Sequence, residues 1–465
     1  MSDLYTIGDF MQANKYEIDM CHGTIMDKLI LFSLPLMLSS ILQLLFNAVD
    51  IVVVGRFEDS NALAAVGATS ALIGLFVNFF IGLSLGTNVL AARQFAAGRE
   101  DDMSGTVHTA ISIALISGCI MTVVGLVFSK FALSLMDTPA EVIDQSTLYM
   151  RIYFLGMPFF MLYNYGAAIL RAVGDTRRPL YYLTVAGIAN VFFNLVLVIC
   201  FGLGVAGVAI GTVISQFISC ILVIRCLCKI DTCYKLDFKK LHINKAYMRQ
   251  IFQVGIPAGI QSVVINFSNV LLQSSVNSFG SIAMAGYTAA GNILGFLYVS
   301  VNAVTQGCTS FTSQNLGAGK LKRMDRVLIN SIILSACMAL CIGILAFTFG
   351  RQLLGIYSSE ADVIDSGMQI LTYTTLTYFL CGIMDVFPGA LRGMGYAAVP
   401  MLLSIIGTVG VRIAWIYGVF PYHRSLSFLF ISYPASWLAT VILQMICFVF
   451  VRRMLRSHIT ETEDD

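Results

Sequence analysis

The amino-acid sequence predicts an all-α membrane protein, with twelve transmembrane helices in two six-helix bundles related by a pseudo-twofold axis along the membrane normal. Three observations carry that prediction. Of 465 residues, 57% are hydrophobic and only 12% charged, about half the charged share of roughly 25% usual in soluble domains. Apolar stretches long enough to cross hydrocarbon recur along the whole chain. Finally, landmarks of the first half return in the second. Pro35 and Asn47 return 222 residues later as Pro257 and Asn269. LRAVGDTRRPL, with Arg171 and Pro179, returns 221 residues later as LRGMGYAAVPM, with Arg392 and Pro400. The QFAAG at Gln94 falls near the QNLGAG at Gln314.

Taken in order, apolar stretches of about 20 residues or more, the length that spans a bilayer, lie at 30–54, 62–90, 106–128, 148–170, 180–201 and 205–225 in the first half. The second half holds them at 250–277, 282–310, 328–350, 368–391, 398–420 and 427–451. The expected organisation is an N-terminal segment over 1–28, an N-lobe over 29–225, a linker over 226–249, a C-lobe over 250–453 and a tail over 454–465. The first segment has no apolar core with a cleavage site, so no signal peptide is expected. Lys15, Glu17, Asp19 and Asp27 make it a polar lead-in. The linker is rich in lysine, and the acidic end Glu461–Asp465 reads as a solvated tail.

Cytoplasmic flanks retain Lys and Arg. The two ends and the even-numbered loops hold 22 of the 28 basic residues, whereas the odd-numbered loops hold only Arg56, Lys130, Arg351 and Arg424. Both termini are therefore expected in the cytoplasm of a multi-pass plasma-membrane protein. Six spans per repeat preserve orientation, and lobes so related can expose a shared cavity to either side by rocking.

This composition sets aside several functions. The basic excess belongs to topology, so no nucleic-acid partner is implied. Cys226, Cys228, Cys233 and His242 match no common zinc spacing and read as free thiols. There is no GxxxxGK[ST] sequence, so ATP is not the expected energy source, and no catalytic constellation suggests an enzyme. No cofactor and no metal beyond a transported Na⁺ is expected.

A charge within hydrocarbon costs at least about 2.5–3.5 kcal/mol, which makes each intramembrane acid a functional candidate. Only Asp50 in span 1 and Asp385 in span 10 qualify among 26 acids. The bland reading of Asp50 is an interfacial residue at a frayed helix end. That of Asp385 is a structural ion pair or a hydrogen-bonded acid, with Arg412 on span 11 as the candidate partner. The acids are not related by the repeat: Asp50 maps to Leu272 and Asp385 to Asn164. Asn190 and Asn194 share a face of span 5, as do Asn269, Gln273 and Asn277 on span 7. Such stripes are either interhelical glue or a cavity lining. Pro35 and Pro257 each free a backbone carbonyl and permit bending, or simply kink the helix.

LLFNAVDIVVVGRF with ALAAVG, the two LR-x-x-G…P signatures and GVAGVAIGTVISQ together resemble the multidrug and toxic compound extrusion (MATE) family, from about Lys28 to Arg453. The resemblance implies two six-helix bundles forming a V, substrate bound between them, and export of organic, often cationic compounds in exchange for inward Na⁺ or H⁺. A small organic substrate and the bilayer would be the partners of a monomer. In one branch of the family a span-1 aspartate is joined by an asparagine and an aspartate on span 5 and a threonine on span 6. The matching positions here are Asp50, Asn190, Asn194 and Thr212, with Asn194 standing where that branch has its second acid. One carboxylate with neutral oxygens suits a hard monovalent cation. A lone carboxyl out of water equally suits a proton, because burial favours the neutral form. Another branch uses a span-7 glutamate, where this chain offers Gln261, Ile265, Asn266 and Asn269. Asn47, Gln261, Asn269, Gln273, Asn164, Asp385 and Arg412 remain as cavity-lining or secondary coupling candidates. A lipid-linked oligosaccharide flippase of the same broad superfamily is the alternative, disfavoured because only Arg151 and Arg412 are basic residues within spans.

Overall fold

The computed structural model describes residues 16–58, 60–136 and 138–463. Lys15 and the last two residues of the acidic end lie outside them. Among the described residues there are helices and loops and no strand. This suits the solvent: without water, backbone groups must be satisfied internally, and an α-helix does so within one apolar run.

In the first half, α1 is Ile25–Phe57, α2 Ser60–Ala96, α3 Glu100–Leu135, α4 Ile143–Leu155, α5 Met157–Ala172, α6 Arg177–Leu195 and α7 Gly204–Lys229. The second half holds α8 Lys245–Asn277, α9 Ser281–Gly317, α10 Leu321–Thr348, the short α11 Gly350–Gly355, α12 Ala361–Thr375 and α13 Tyr378–Gly393. These are followed by α14 Ala398–Ser404, α15 Val411–Ala414, α16 Leu426–Phe430 and α17 Ser432–Glu463. Ten segments are individually long and apolar enough to cross a membrane. The pairs α4–α5 and α12–α13, bent by 46° and 50°, complete twelve spans when each counts as one. The expected tail is thus continuous with the last span, since α17 runs to Glu463. Both Pro35 and Pro257 lie inside unbroken helices.

The duplication is legible in the backbone. The bend between α4 and α5 falls at Gly156, ahead of Pro158, and the bend between α12 and α13 falls around Thr377, 221 positions later. Each LR-x-x-G signature is a helix stop. Gly174 has φ +96° and Gly395 φ +92°. The next N–H reaches back five residues, from Asp175 to the Leu170 carbonyl and from Tyr396 to the Leu391 carbonyl, both at 2.9 Å. That is the Schellman cap, whose left-handed residue favours glycine. The glycines of QFAAG and QNLGAG, Gly98 and Gly319, repeat it at φ +67° and +69°. The halves also share π turns: Val196–Cys200 follows α6, whereas Ile405–Gly410 and Trp415–Val419 flank α15.

By internal packing the chain forms two units. One comprises the residues up to Met20 and Leu34–Gly255, the other Cys21–Ser33 and Ile256 onward. Two of the three boundaries fall within helices, where Leu34 and Ile256, each one residue before a proline, begin a new unit. The start of α1 is anchored in the second unit: Lys320 Nζ donates to the Cys21 carbonyl at 3.1 Å, and Arg323 Nη1 to the Gly23 carbonyl at 2.9 Å. The start of α8 is anchored in the first unit, where Tyr247 Oη donates to Asp102 Oδ1 at 2.7 Å. The close approaches repeat too. A Cβ on Gly86 would lie 2.0 Å from the Ile251 carbonyl oxygen, and one on Gly307 2.8 Å from Leu29.

The stretch 226–249 is a docked segment within the first unit. The Asp237 N–H donates to His108 Nε2 at 3.1 Å, the Asn244 N–H to Thr109 Oγ1 at 3.1 Å, and Tyr234 Oη to Glu17 Oε1 at 2.5 Å. Burial pushes the Cys233 thiol up to about 11, with the Glu100 carboxylate adding to it. It is accordingly a poor nucleophile at neutral pH. Among the described residues no group of three or more His, Cys, Asp or Glu could hold a metal ion.

Candidate cation site

Asp50 is buried in the first unit, 8% exposed. Asn190 and Asn194 sit on the last turns of α6, one helical turn apart and therefore on one face, and both are buried. Asn194 Nδ2 donates to Asp50 Oδ1 at 2.5 Å and also lies 3.4 Å from Asn190 Oδ1. Asn190 Nδ2 donates to Thr212 Oγ1 at 3.4 Å, and the Thr212 hydroxyl donates to the Val208 carbonyl at 3.0 Å along α7. The four residues singled out by the family resemblance are thus brought together by three helices. Among the described residues no Lys or Arg forms an ion pair with Asp50, and a buried carboxylate would otherwise attract one.

Two details shape this cluster. Asn194 Oδ1 is buried without a hydrogen-bond partner, so the amide gives its N–H to Asp50 and leaves its oxygen unspent. That oxygen lies over Gly211, where a Cβ would stand 1.9 Å away; α7 carries glycine here because the carboxamide fills the space. The π turn Val196–Cys200 begins two residues after Asn194, and such turns occur frequently at functional sites.

Sequence reasoning missed Tyr149 and Tyr153 on α4. Both are electrostatic neighbours of Asp50, and their rings stack with centroids 6.4 Å apart. Their spacing of four residues put them on one face, but nothing distinguished that face from the apolar ones around it.

The remaining candidates divide. Asn47, Gln273 and Asn277 are exposed. Asn164 is buried and donates to the Phe160 carbonyl of its own helix at 2.8 Å. Gln261 Nε2 donates to Ser404 Oγ at 3.1 Å, and Gln444 Nε2 reaches the same hydroxyl at 2.9 Å, which ties α8, α14 and α17 together. Asp385, on α13, makes no described hydrogen bond or ion pair. Its charged neighbour is Arg392 on the same helix.

The ion pair between Asp385 and Arg412, the bland reading of that acid, does not form among the described contacts. Arg412 is 3% exposed and donates from Nη1 to Asn269 Oδ1 at 2.8 Å and Ser268 Oγ at 3.2 Å, and from Nε to Ser436 Oγ at 3.4 Å. Its guanidinium carbon lies 4.6 Å from the centroid of the Tyr433 ring. Neutral oxygens and a π face on α8 and α17 take the place of a carboxylate. Asn269 is thereby assigned a partner. Arg151, the other basic residue expected within spans, is exposed and donates to the Leu126 carbonyl at 3.1 Å.

Comparison with known proteins places this architecture. The MatE family model matches residues 35–196 and 257–417, two segments that begin 222 residues apart and end 221 apart. A probable multidrug resistance protein of Bacillus subtilis (strain 168), YoeA, is 30% identical over 426 residues, covering 89% of this chain and 91% of that protein. The multidrug export protein MepA of Staphylococcus aureus (strain MSSA476) is 24% identical over 381 residues, covering 81% and 83%. A crystal structure of MATE in complex with MaL6 superposes with a TM-score of 0.88 at 19% identity, covering 94% of this chain and 98% of that one. An outward-facing multidrug resistance MATE family transporter of the MOP superfamily gives 0.87 at 19% identity, covering 94% and 98%.

Proposed function

The chain belongs to the MatE family of multi-pass membrane transporters, and from that premise we propose that it exports organic compounds, cationic or amphipathic, in exchange for inward Na⁺ or H⁺ taken at Asp50. The export named for MepA and the multidrug resistance named for YoeA support the direction and a multidrug cargo. The coupling reading rests on one observation: a buried carboxylate without a basic partner, met by Asn190, Asn194 and Thr212. Turning the Asn194 amide over would exchange its N–H for Oδ1 and give a cation a second oxygen beside the carboxylate, in keeping with the oxygen preference of hard ions. A proton would instead neutralise Asp50 directly. In either case the ion must bind one conformation more tightly than the other, or it drives nothing. The two prolines, each inside a helix that passes from one packing unit to the other, supply bending points for that change. The protein works as a monomer in the plasma membrane with both termini cytoplasmic, a placement supported by the 22 basic residues on one set of flanks.

The test is transport in proteoliposomes with separately imposed Na⁺ and pH gradients. One gradient should drive export by the wild type. Asp50→Asn keeps size and hydrogen bonding but removes the charge, so it should lose gradient-driven export while substrate binding stays detectable. Normal export by Asp50→Asn would end the coupling reading.

A further inference from the structure

The second unit contains a buried charge of its own. Arg412 has no carboxylate partner among the described residues. Its surroundings are Asn269, Ser268, Ser436, Tyr433 and Tyr287, with Cys381 and Tyr378 of α13 as further electrostatic neighbours, all of them neutral side chains. A guanidinium so placed keeps most of its charge uncompensated, and buried charges persist only where something pairs with them. The shell also leaves donors unspent. Nη2 makes no described hydrogen bond. Tyr287 and Tyr433 share one hydrogen bond at 3.0 Å between their hydroxyls, which uses one of their two hydroxyl hydrogens. Asn269 gives Arg412 its oxygen, which turns its NH₂ group outward from that bond, and the residue is only partly buried, so the cluster has an open edge on α8. Finally, α15 is flanked on both sides by π turns, Ile405–Gly410 and Trp415–Val419, a backbone feature frequent at functional sites.

From these we propose that Arg412 is the binding residue of an anion site in the second unit, taking a small monovalent anion or the carboxylate of an organic solute, with the Tyr287–Tyr433 hydroxyls and the Asn269 amide as supporting donors. Guanidinium is suited to this task, being planar, always charged and weakly hydrated. The site is independent of the coupling role proposed for Asp50. It extends the expected cargo from organic cations to compounds that also carry a carboxylate, or it admits an inorganic anion as co-ligand.

The experiment uses the full chain purified in detergent, at constant Na⁺ and ionic strength, with the bulky, carboxylate-free sulfonate HEPES replaced stepwise by chloride or by benzoate while thermal unfolding is followed. The wild type should show a saturable rise in Tm. Saturation by chloride identifies an inorganic anion, and saturation by benzoate alone identifies the carboxylate of an organic solute. Asn269→Asp places a carboxylate where Asn269 Oδ1 already accepts from Arg412, so it should weaken the response about tenfold or more while the protein stays monodisperse. Arg412→Gln should abolish the response, which provides a second reading if the first variant folds poorly. Asp50→Asn should keep the response in full, whatever becomes of coupling. A wild type indifferent to both anions, or an Asn269→Asp protein that responds as the wild type does, would overturn the proposal.

Discussion

Asp50 in the first unit and Arg412 in the second are buried charges of opposite sign, each held by neutral groups. The carboxylate accepts from an asparagine amide, and the guanidinium donates to an asparagine oxygen and two serine hydroxyls. The elements around them correspond: α1 to α8, α6 with its π turn to α14 and α15, α7 to α17. The charges do not. Asp50 corresponds to Leu272, which is 1% exposed. In span 11 the register starts at an offset of 221 from Pro179 to Pro400. A π turn takes up one more residue than an α turn, so after Ile405–Gly410 the offset becomes 222 and Arg412 stands at the place of Asn190. The partners agree with this register, because Asn190 reaches Thr212 and Arg412 lies on Tyr433, 221 positions further along. The duplication has kept what folding needs, namely bends, caps and close helix approaches. It has not kept either charge, so neither charge belongs to the scaffold.

The largest expected effect breaks this comparison if it is wrong. Asp50→Leu gives α1 the residue that its counterpart α8 carries. If the carboxylate is functional and not structural, folded yield should be retained and Tm should not fall. Replacing buried charge by apolar volume is often neutral or stabilising by about 1–4 kcal/mol, against which stands the loss of the Asn194 hydrogen bond at about 1–3 kcal/mol. Gradient-driven export should drop to the level of protein-free liposomes. Collapse of the folded yield would instead make Asp50 part of the scaffold, and the contrast between the halves would lose its meaning.

The middle prediction sharpens the claim that the caps are shared. Gly174→Ala and Gly319→Ala both force a Cβ into the left-handed region, at a cost of about 1–2 kcal/mol. Gly174 bears a further burden, because a Cβ there would lie 2.5 Å from the Ile18 carbonyl oxygen and 2.6 Å from the Ile18 nitrogen. Gly174→Ala should therefore lower Tm more than Gly319→Ala, whose Cβ would meet nothing within 4 Å. Equal shifts would show that the segment around Ile18 yields without resistance.

Much of this was legible in the sequence because membrane solvent simplifies the problem. Backbone crossing hydrocarbon must be helical or part of a closed barrel, and apolar runs of about 20 residues suit the helix, so twelve such runs in two copies sufficed for the fold. The LR-x-x-G signatures were legible as repeat landmarks, whereas the caps they form came from the backbone, where Gly174 and Gly395 have positive φ. Asp50, Asn190, Asn194 and Thr212 were named through the family resemblance, and helical spacing put the two asparagines on one face. What sequence could not supply was which groups meet across helices. Asp385 and Arg412 looked like a pair because opposite charges attract, yet Asn269, Ser268 and Ser436 are nearer in space, and the register of α15 depends on a π turn that no residue pattern reveals. Tyr149 and Tyr153 were hidden for a related reason, since an aromatic beside a carboxylate looks in sequence like one beside lipid. The bends in spans 4 and 10 and the docking of 226–249 onto α3 likewise depend on tertiary contacts.

The smallest expected effect concerns the other intramembrane acid. Asp385 differs from Asp50 in having no described amide, hydroxyl or basic group bonded to it, with Arg392 as a neighbour along α13 and Tyr298 on α9 as another. Asp385→Asn preserves volume and orphans no bonded partner. Its effect on unfolding should therefore stay within about 0.5 kcal/mol, the range of substitutions that break no specific interaction. Export should fall by less than it does for Asp50→Asn in the same vesicles, because an ion bound there would lack the converging oxygens that Asn190, Asn194 and Thr212 offer in the first unit. A loss as complete as that of Asp50→Asn, with folding intact, would give the second unit a coupling acid of its own and make the halves chemically alike where the present comparison holds them apart.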